Sequence, residues 1–279
     1  MYSNGIGVIY PLGALLEKGT APLGALGLDC VQLACWDPSS LTADNAEKTV
    51  ALFKEKGIKV TSFWAGWSGP AVWDSISGPL TLGLVPETYR FIRMKELEKA
   101  ADFAALIGAP NVVTHVGFVP ENPSLQGYSD VVQAVKHVAS YCKKLGLGFN
   151  FETGQETPTT LMRLIHDIGL DNVGINLDPA NLLCYGRGNP IDALDMFKGY
   201  IQGVHIKDAD YPSGDFHKLG AEQPVGSGSV NFDVFLPKLL KQGYTCDFYI
   251  EREIEEGDEQ TRDIKMAIEV VKKHLRSEA

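Results

Sequence analysis

The chain has 279 residues, of which 44% are hydrophobic, 22% charged and 9% aromatic. That excludes a disordered polymer, which would bury too little apolar surface to offset its ordering entropy. Its 29 glycines follow no three-residue period, which excludes a collagen-like repeat. With 25 basic and 35 acidic residues the formal net charge is −10 and the isoelectric point about 5.1. Such a surface repels a nucleic-acid backbone, and no Lys/Arg run exceeds the pairs Lys143-Lys144 and Lys272-Lys273.

In chain order, short apolar runs alternate with longer segments of helical spacing. Strands are expected at Gly5–Ile9, Cys30–Ala34, Lys59–Trp64, Asn111–Val116, Leu147–Glu152, Val173–Asp178, Gly203–Lys207 and Asp247–Glu251. Helices are expected at Ala43–Lys56, Pro86–Ile107, Ser129–Leu145, Pro158–Ile168, Pro190–Phe197, Phe232–Gln242 and Gln260–Leu275. Ala46, Val50 and Phe53 form the apolar stripe of the first; Phe91, Met94, Leu97, Ala101, Ala104 and Ala105 form that of the second. Gly57, Gly108, Gly146, Gly169 and Gly243 stand where helices should stop.

Eight βα units joined by short turns fit an α/β fold, a single (β/α)8 TIM barrel, which needs ~250 residues. The competing open doubly wound sheet would require a glycine-rich phosphate turn after its first strand. Gly5-Ile6-Gly7 lies inside that strand and lacks the rest of the fingerprint. No linker or internal repeat interrupts the pattern, so residues 1–279 are read as one domain. Five cysteines without a CxxC pair argue against a disulfide framework or zinc knuckle. Met1-Tyr2-Ser3-Asn4-Gly5 lacks a basic-then-apolar leader, and no apolar run approaches ~20 residues. The expectation is a reduced, cytoplasmic protein with no membrane or nucleic-acid partner, its homo-oligomerisation left open.

In a parallel barrel, chemistry gathers at the C-terminal strand ends. The fifth strand ends in Glu152, the sixth in Asp178, the seventh passes through His205 and the eighth ends in Glu251. A lone acid at such a place is usually a helix cap or a solvated loop carboxylate. Four groups converging from consecutive strands would be costly to bury without a cation. The mixed O/N donor set suits Mn²⁺, Mg²⁺, Co²⁺ or Zn²⁺.

The segments NFETGQET (Asn150–Thr157), NLDPANLL (Asn176–Leu183), VHIKDAD (Val204–Asp210), PVGSGSVNF (Pro224–Phe232) and YIERE (Tyr249–Glu253) resemble the xylose-isomerase-like TIM-barrel superfamily over nearly the whole chain. That superfamily includes ketose 3-epimerases, inosose-handling enzymes and class II endonucleases for abasic DNA. Resemblance to the epimerase branch implies that Glu152, Asp178, His205 and Glu251 bind one divalent ion, Mn²⁺ first. It also implies that Glu152 and Glu251 act as an acid/base pair on opposite faces of a substrate carbon. The function so implied is isomerisation or epimerisation of a carbohydrate or keto-sugar by proton transfer beside a carbonyl. Proton abstraction there needs a base within reach and a Lewis acid for the developing enediolate.

The chain departs from that pattern. Asn181 stands where epimerases commonly carry a histidine, and Tyr211 where they often carry an arginine. Two other readings therefore stay open: a metal-dependent lyase cleaving 3-keto-glycosides by β-elimination, and a non-catalytic sugar-binding barrel. The endonuclease branch is echoed at His115 and at Asp215-Phe216-His217, but two expected histidine ligands are missing and the charge is unfavourable. Candidate substrate contacts are Trp64, His115, Glu156, Asn181, Lys207 and His217, with Lys207 equally readable as an ion-pair member. His137, His166 and His274 lie in helical patterns and read as surface residues. Trp36, Trp64, Trp67 and Trp73 cluster near the second and third strand ends, as barrel-rim packing or sugar-stacking faces. Residues 66–85 read as an irregular covering loop. Gly226-Ser227-Gly228 resembles a phosphate cradle but is short.

Overall fold

The computed structural model describes residues 4–277 except 25, 29 and 216; the central residue of the Asp215-Phe216-His217 element and the first three residues of the chain lie outside the described set. Eight parallel strands close into a barrel: β1 (Ile6–Pro11), β2 (Cys30–Cys35), β3 (Lys59–Ala65), β4 (Asn111–Thr114), β5 (Gly148–Glu152), β6 (Val173–Leu177), β7 (Ile201–Ile206) and β10 (Phe248–Ile250). Between β7 and β10 lies an antiparallel ribbon of β8 (Asp208–Ala209) and β9 (Glu222–Gln223). Closure comes from β1 lying beside β10, with Ile6, Gly7 and Val8 opposite Phe248, Tyr249 and Ile250. The eight expected barrel strands are all present. They read as apolar runs because helices cover the outside of a parallel barrel and side chains fill its inside, so both faces are dry. All six residues of β2 are buried, for example.

The helices are α1 (Leu12–Lys18), α2 (Ala21–Gly24), α3 (Ala43–Lys56), α4 (Gly78–Thr81), α5 (Glu87–Ile107), α6 (Gln126–Lys144), α7 (Pro158–Ile168), α8 (Pro179–Cys184), α9 (Pro190–Phe197), α10 (Phe232–Lys241) and α11 (Asp258–Ser277). The periodic ones match the expected segments; α1, α2, α4 and α8 are too short to show a period. None among the described residues is long and apolar enough to cross a membrane.

Two expected stripes are rotated. In α3, Thr49 rather than Val50 is buried with Ala46 and Phe53. In α5 the inward residues are Arg93, Leu97, Ala100, Ala101, Phe103, Ala104 and Ile107, while Phe91 is 73% exposed and Ala105 is exposed. Of the three histidines read as surface residues, His137 and His166 are exposed, but His274 is buried, its Nε2 3.0 Å from Asp233 Oδ1.

Arg93 causes the rotation in α5. Its guanidinium is fully buried and donates to four carbonyls of the loop between β3 and α5: Ser68 (3.1 Å), Pro70 (2.9 Å), Thr81 (2.7 Å) and Gly83 (2.8 Å). Its charge also lies 4.2 Å from the centre of the Trp67 ring. A cation solvated this completely by backbone oxygens holds residues 66–85 in one shape. The loop then crosses the end of β4 so closely that a Cβ on Gly83 (φ 67°) would sit 2.0 Å from Val116 O. Only glycine fits there on both counts.

Candidate metal centre and mouth of the barrel

Each residue of the four-strand set arrives by a separate local device. Glu152 is the last residue of β5 and is buried. Asp178 follows β6 and caps α8: its Oδ1 accepts from the Asn181 backbone N–H at 2.9 Å, leaving Oδ2 for the barrel axis. Pro179 favours a helix start at that point. The Thr153 hydroxyl lies 2.8 Å from both the backbone nitrogen and the backbone oxygen of Asp178, locking β5 to β6 there. His205 lies in β7 with no exposure, and Glu251 directly follows β10.

One donor atom from each of Glu152, Asp178, His205 and Glu251 lies within 4.8 Å of the others. His205 Nδ1 faces three carboxylate oxygens: Glu251 Oε2 at 3.1 Å, Glu152 Oε1 at 3.3 Å and Asp178 Oδ2 at 3.5 Å. Asp178 Oδ2, Glu251 Oε2 and His205 Nδ1 are buried and make no protein hydrogen bond of good geometry. Three acids crowded on one imidazole, with donor atoms left over, form a site that can bind a divalent cation. The sequence-derived ligand set is therefore brought together in full.

Electrostatics without a cation follow from the crowding. Burial pulls the His205 imidazole down, but Glu152 and Glu251 outweigh it and hold it well above the ordinary histidine range. Burial pushes the Glu152 carboxyl up, yet His115 and His205 hold it well below the ordinary range. Lys207 adds a further cation: it is buried, and its Nζ lies 2.5 Å from Glu253, 3.3 Å from Glu251 and 3.8 Å from Asp178. Burial lowers its pKa, but these carboxylates more than reverse that. Lys207 is thus an ion-pair member bordering the cluster.

Sequence reasoning missed Gln32. It is wholly buried in the middle of β2, within an otherwise apolar run. Its Nε2 donates to Ser62 Oγ (3.0 Å) and Asn176 Oδ1 (3.2 Å), so its Oε1 accepts from His205 Nε2 at 2.8 Å. That bond puts a proton on Nε2 and turns Nδ1 toward the carboxylates, the arrangement a metal-bound imidazole needs. The available signal was a lone amide inside a buried strand.

The other sequence-derived contacts divide into two groups. Trp64 Nε1 donates a short hydrogen bond to Glu152 Oε2. Asn181 Nδ2 donates to Glu152 Oε1 at 3.3 Å, and His115 Nε2 lies 3.4 Å from the same oxygen. Glu156 is buried beside this group, and burial pushes its carboxyl up to about 7. His217 is exposed; its backbone N–H bonds Asp215 Oδ1 at 3.1 Å, and among the described residues no hydrogen bond or ion pair joins its side chain to the cluster. Tyr211 is also exposed.

The glycine turn near residue 226 has an internal occupant. Asp208 Oδ2 accepts from the backbone N–H groups of Gly226 (2.9 Å) and Gly228 (3.0 Å), and Oδ1 from those of Val230 (3.0 Å) and Ala209 (2.9 Å). The amides a phosphate cradle would need already hold a carboxylate.

With this geometry in view, known proteins provide context. A family model described as the xylose isomerase-like TIM barrel matches residues 22–274. A solved xylose isomerase domain protein from Planctomyces limnophilus is 33% identical, with 99% of both chains covered and a TM-score of 0.91. A solved L-ribulose 3-epimerase shares the fold at 17% identity and a TM-score of 0.75, with 98% of this chain and 95% of that one covered. Among curated sequences, the uncharacterized protein MJ1311 of Methanocaldococcus jannaschii is 26% identical over 201 residues, or 68% of this chain and 64% of the relative's own length.

Proposed function

This chain belongs to the xylose isomerase-like TIM-barrel family, and we propose that it is a divalent-metal-dependent isomerase or epimerase of a carbohydrate or keto-sugar, acting by proton transfer beside a carbonyl. The observation that carries the reading is the convergence of Glu152, Asp178, His205 and Glu251 with donor atoms left unsatisfied. These four residues would hold the ion, with Mn²⁺ the first candidate. When bound, it supplies a Lewis acid for charge developing on substrate oxygen.

The chain's own groups do the rest. Glu152 and Glu251 would remove a proton on one face of the carbon and return one on the other. Glu152 is suited to the base role because His115 and His205 keep it ionised despite burial. Asn181 and His115, already against Glu152 Oε1, would orient the substrate hydroxyls. Trp64 holds Glu152 Oε2 and excludes water. Lys207, Glu156 and His217 complete the proposed contacts, His217 the least supported because it is exposed.

A second reading is favoured by Asn181 and the exposed Tyr211 standing where a ketose epimerase would commonly place a histidine and an arginine. The same glutamates would then carry β-elimination from a 3-keto-glycoside, one removing the proton beside the carbonyl and the other protonating the departing glycosidic oxygen. Metal-loaded protein in heavy water with ketoses and keto-glycosides, followed by NMR, tests both. Chelator-sensitive deuterium uptake beside the carbonyl is expected, and Glu152→Gln and Glu251→Gln should each abolish it. Full exchange in both variants would refute the mechanism, and aglycone release would select elimination.

A further inference from the structure

All four tryptophans gather on one side of the mouth. Trp64 bonds Glu152 and is buried. Trp36 packs on Trp64 with centroids 4.6 Å apart, and stands edge-on to Trp67 (5.5 Å) and Trp73 (5.9 Å, 83°). Trp73 lies over Trp67 at 6.4 Å and 24°, and its ring is 5.1 Å from His115. An unbroken path of rings therefore leads from the oxygens of Glu152 outward. It ends in two indoles that stay open to solvent, Trp36 at 47% and Trp73 at 38% exposure.

Both indoles are held in place. Trp36 lies so close to the backbone at Gly66 that a Cβ there would sit 2.4 Å from its ring. Trp73 belongs to the loop whose carbonyls Arg93 gathers, and it packs on Trp67, the ring beneath that guanidinium. The two rings meet near a right angle, so they present a fixed corner with one face and one edge.

We propose that this corner is a binding subsite for a second ring, so that the substrate is a glycoside whose keto-sugar sits at the acidic cluster while its aglycone, a sugar or an aryl ring, rests on Trp36 against Trp73. The proposal rests on the reading that the cluster handles a keto-sugar. A free ketose engaged by Glu152, His115 and Asn181 would leave both indoles wet. A ring attached at its anomeric carbon would cover them, and a preformed aromatic face binds a ring without ordering itself first.

The test uses Mn²⁺-loaded full-length protein and two probes, 3-keto-glucose and its phenyl glycoside, with affinity read by calorimetry and reaction read by solvent deuterium exchange. The glycoside should bind about tenfold more tightly than the free sugar. Trp36→Ala and Trp73→Ala should remove that advantage, leave free-sugar affinity and Mn²⁺ stoichiometry unchanged, and Trp36→Phe should restore part of it. Equal affinity for the two probes, an equal loss for both in the variants, or binding of neither probe overturns the subsite. Ring-dependent binding without exchange supports the subsite and refutes the proton-transfer reading, so the two can fail separately.

Discussion

Replacing Gln32 with methionine keeps the side-chain volume and removes every polar contact the amide makes. The His205 Nε2–H would lose its acceptor, now 2.8 Å away, and Asn176 Oδ1 its donor at 3.2 Å, both in a region of zero exposure. At about 1–3 kcal/mol for each of these two buried groups left unpaired, the variant should be destabilised by roughly 2–6 kcal/mol. The larger consequence is for the cation. With Nε2 no longer tied to an acceptor, the imidazole can rotate or place its proton on Nδ1, the atom that faces the three carboxylates. Loss of such an outer partner typically costs about 10–100-fold in metal affinity. Calorimetric Mn²⁺ titration of folded Gln32→Met should show that loss, and ¹⁵N NMR of His205 should show its proton redistributed between the ring nitrogens. Gln32→Glu, which keeps an acceptor, should restore the Nε2–H signature. Wild-type Mn²⁺ affinity and an unchanged His205 spectrum in the methionine variant would refute the reasoning.

Two further outcomes follow from the same cluster. Mn²⁺ at 100 times its dissociation constant should stabilise the protein by about 2.7 kcal/mol, and EDTA should reverse the resulting rise in melting temperature of roughly 5–10 °C; a melt indifferent to both would remove the cation from the account. Burial raises the Glu156 carboxyl from 4.5 to about 7 in the metal-free protein. The unfolded chain then releases this proton at lower pH than the folded one, so stability falls as pH rises from about 4.5 to 7, by roughly 3 kcal/mol in all. Urea unfolding in chelator should show Glu156→Gln lacking that fall, and parallel pH profiles for the two proteins would exclude it.

The acidic cluster was legible in the sequence because each member directly follows or ends an apolar run, where a buried charge is conspicuous. The strands were legible because both their faces are dry. Gln32 was not, since its partner His205 lies 173 residues away and nothing local says which strands meet across the axis. Arg93 was hidden for the opposite reason: a cation in a helix ordinarily marks the solvent face, and here its four acceptors are carbonyls of a loop that itself has no period. The glycine turn misled because its open amides are visible in sequence, whereas the Asp208 carboxylate that fills them is folded back from 18 and 20 residues upstream.

Barrel closure has a consequence for the newborn chain. Glu251 is held by β10, a strand of three residues lying between β7 and β1, and β1 contains some of the first residues described. Bringing β1 beside β10 closes the long loop from Ile6 to Phe248, an entropic cost that only late contacts offset. During synthesis the Glu152, Asp178, His205 and Glu251 cluster, the candidate ion site, stays one carboxylate short until β10 has emerged and docked. Cation uptake would therefore mark completion of the fold, and a truncated chain ending before residue 248 would retain three of the four donors but neither the closing strand nor the fourth.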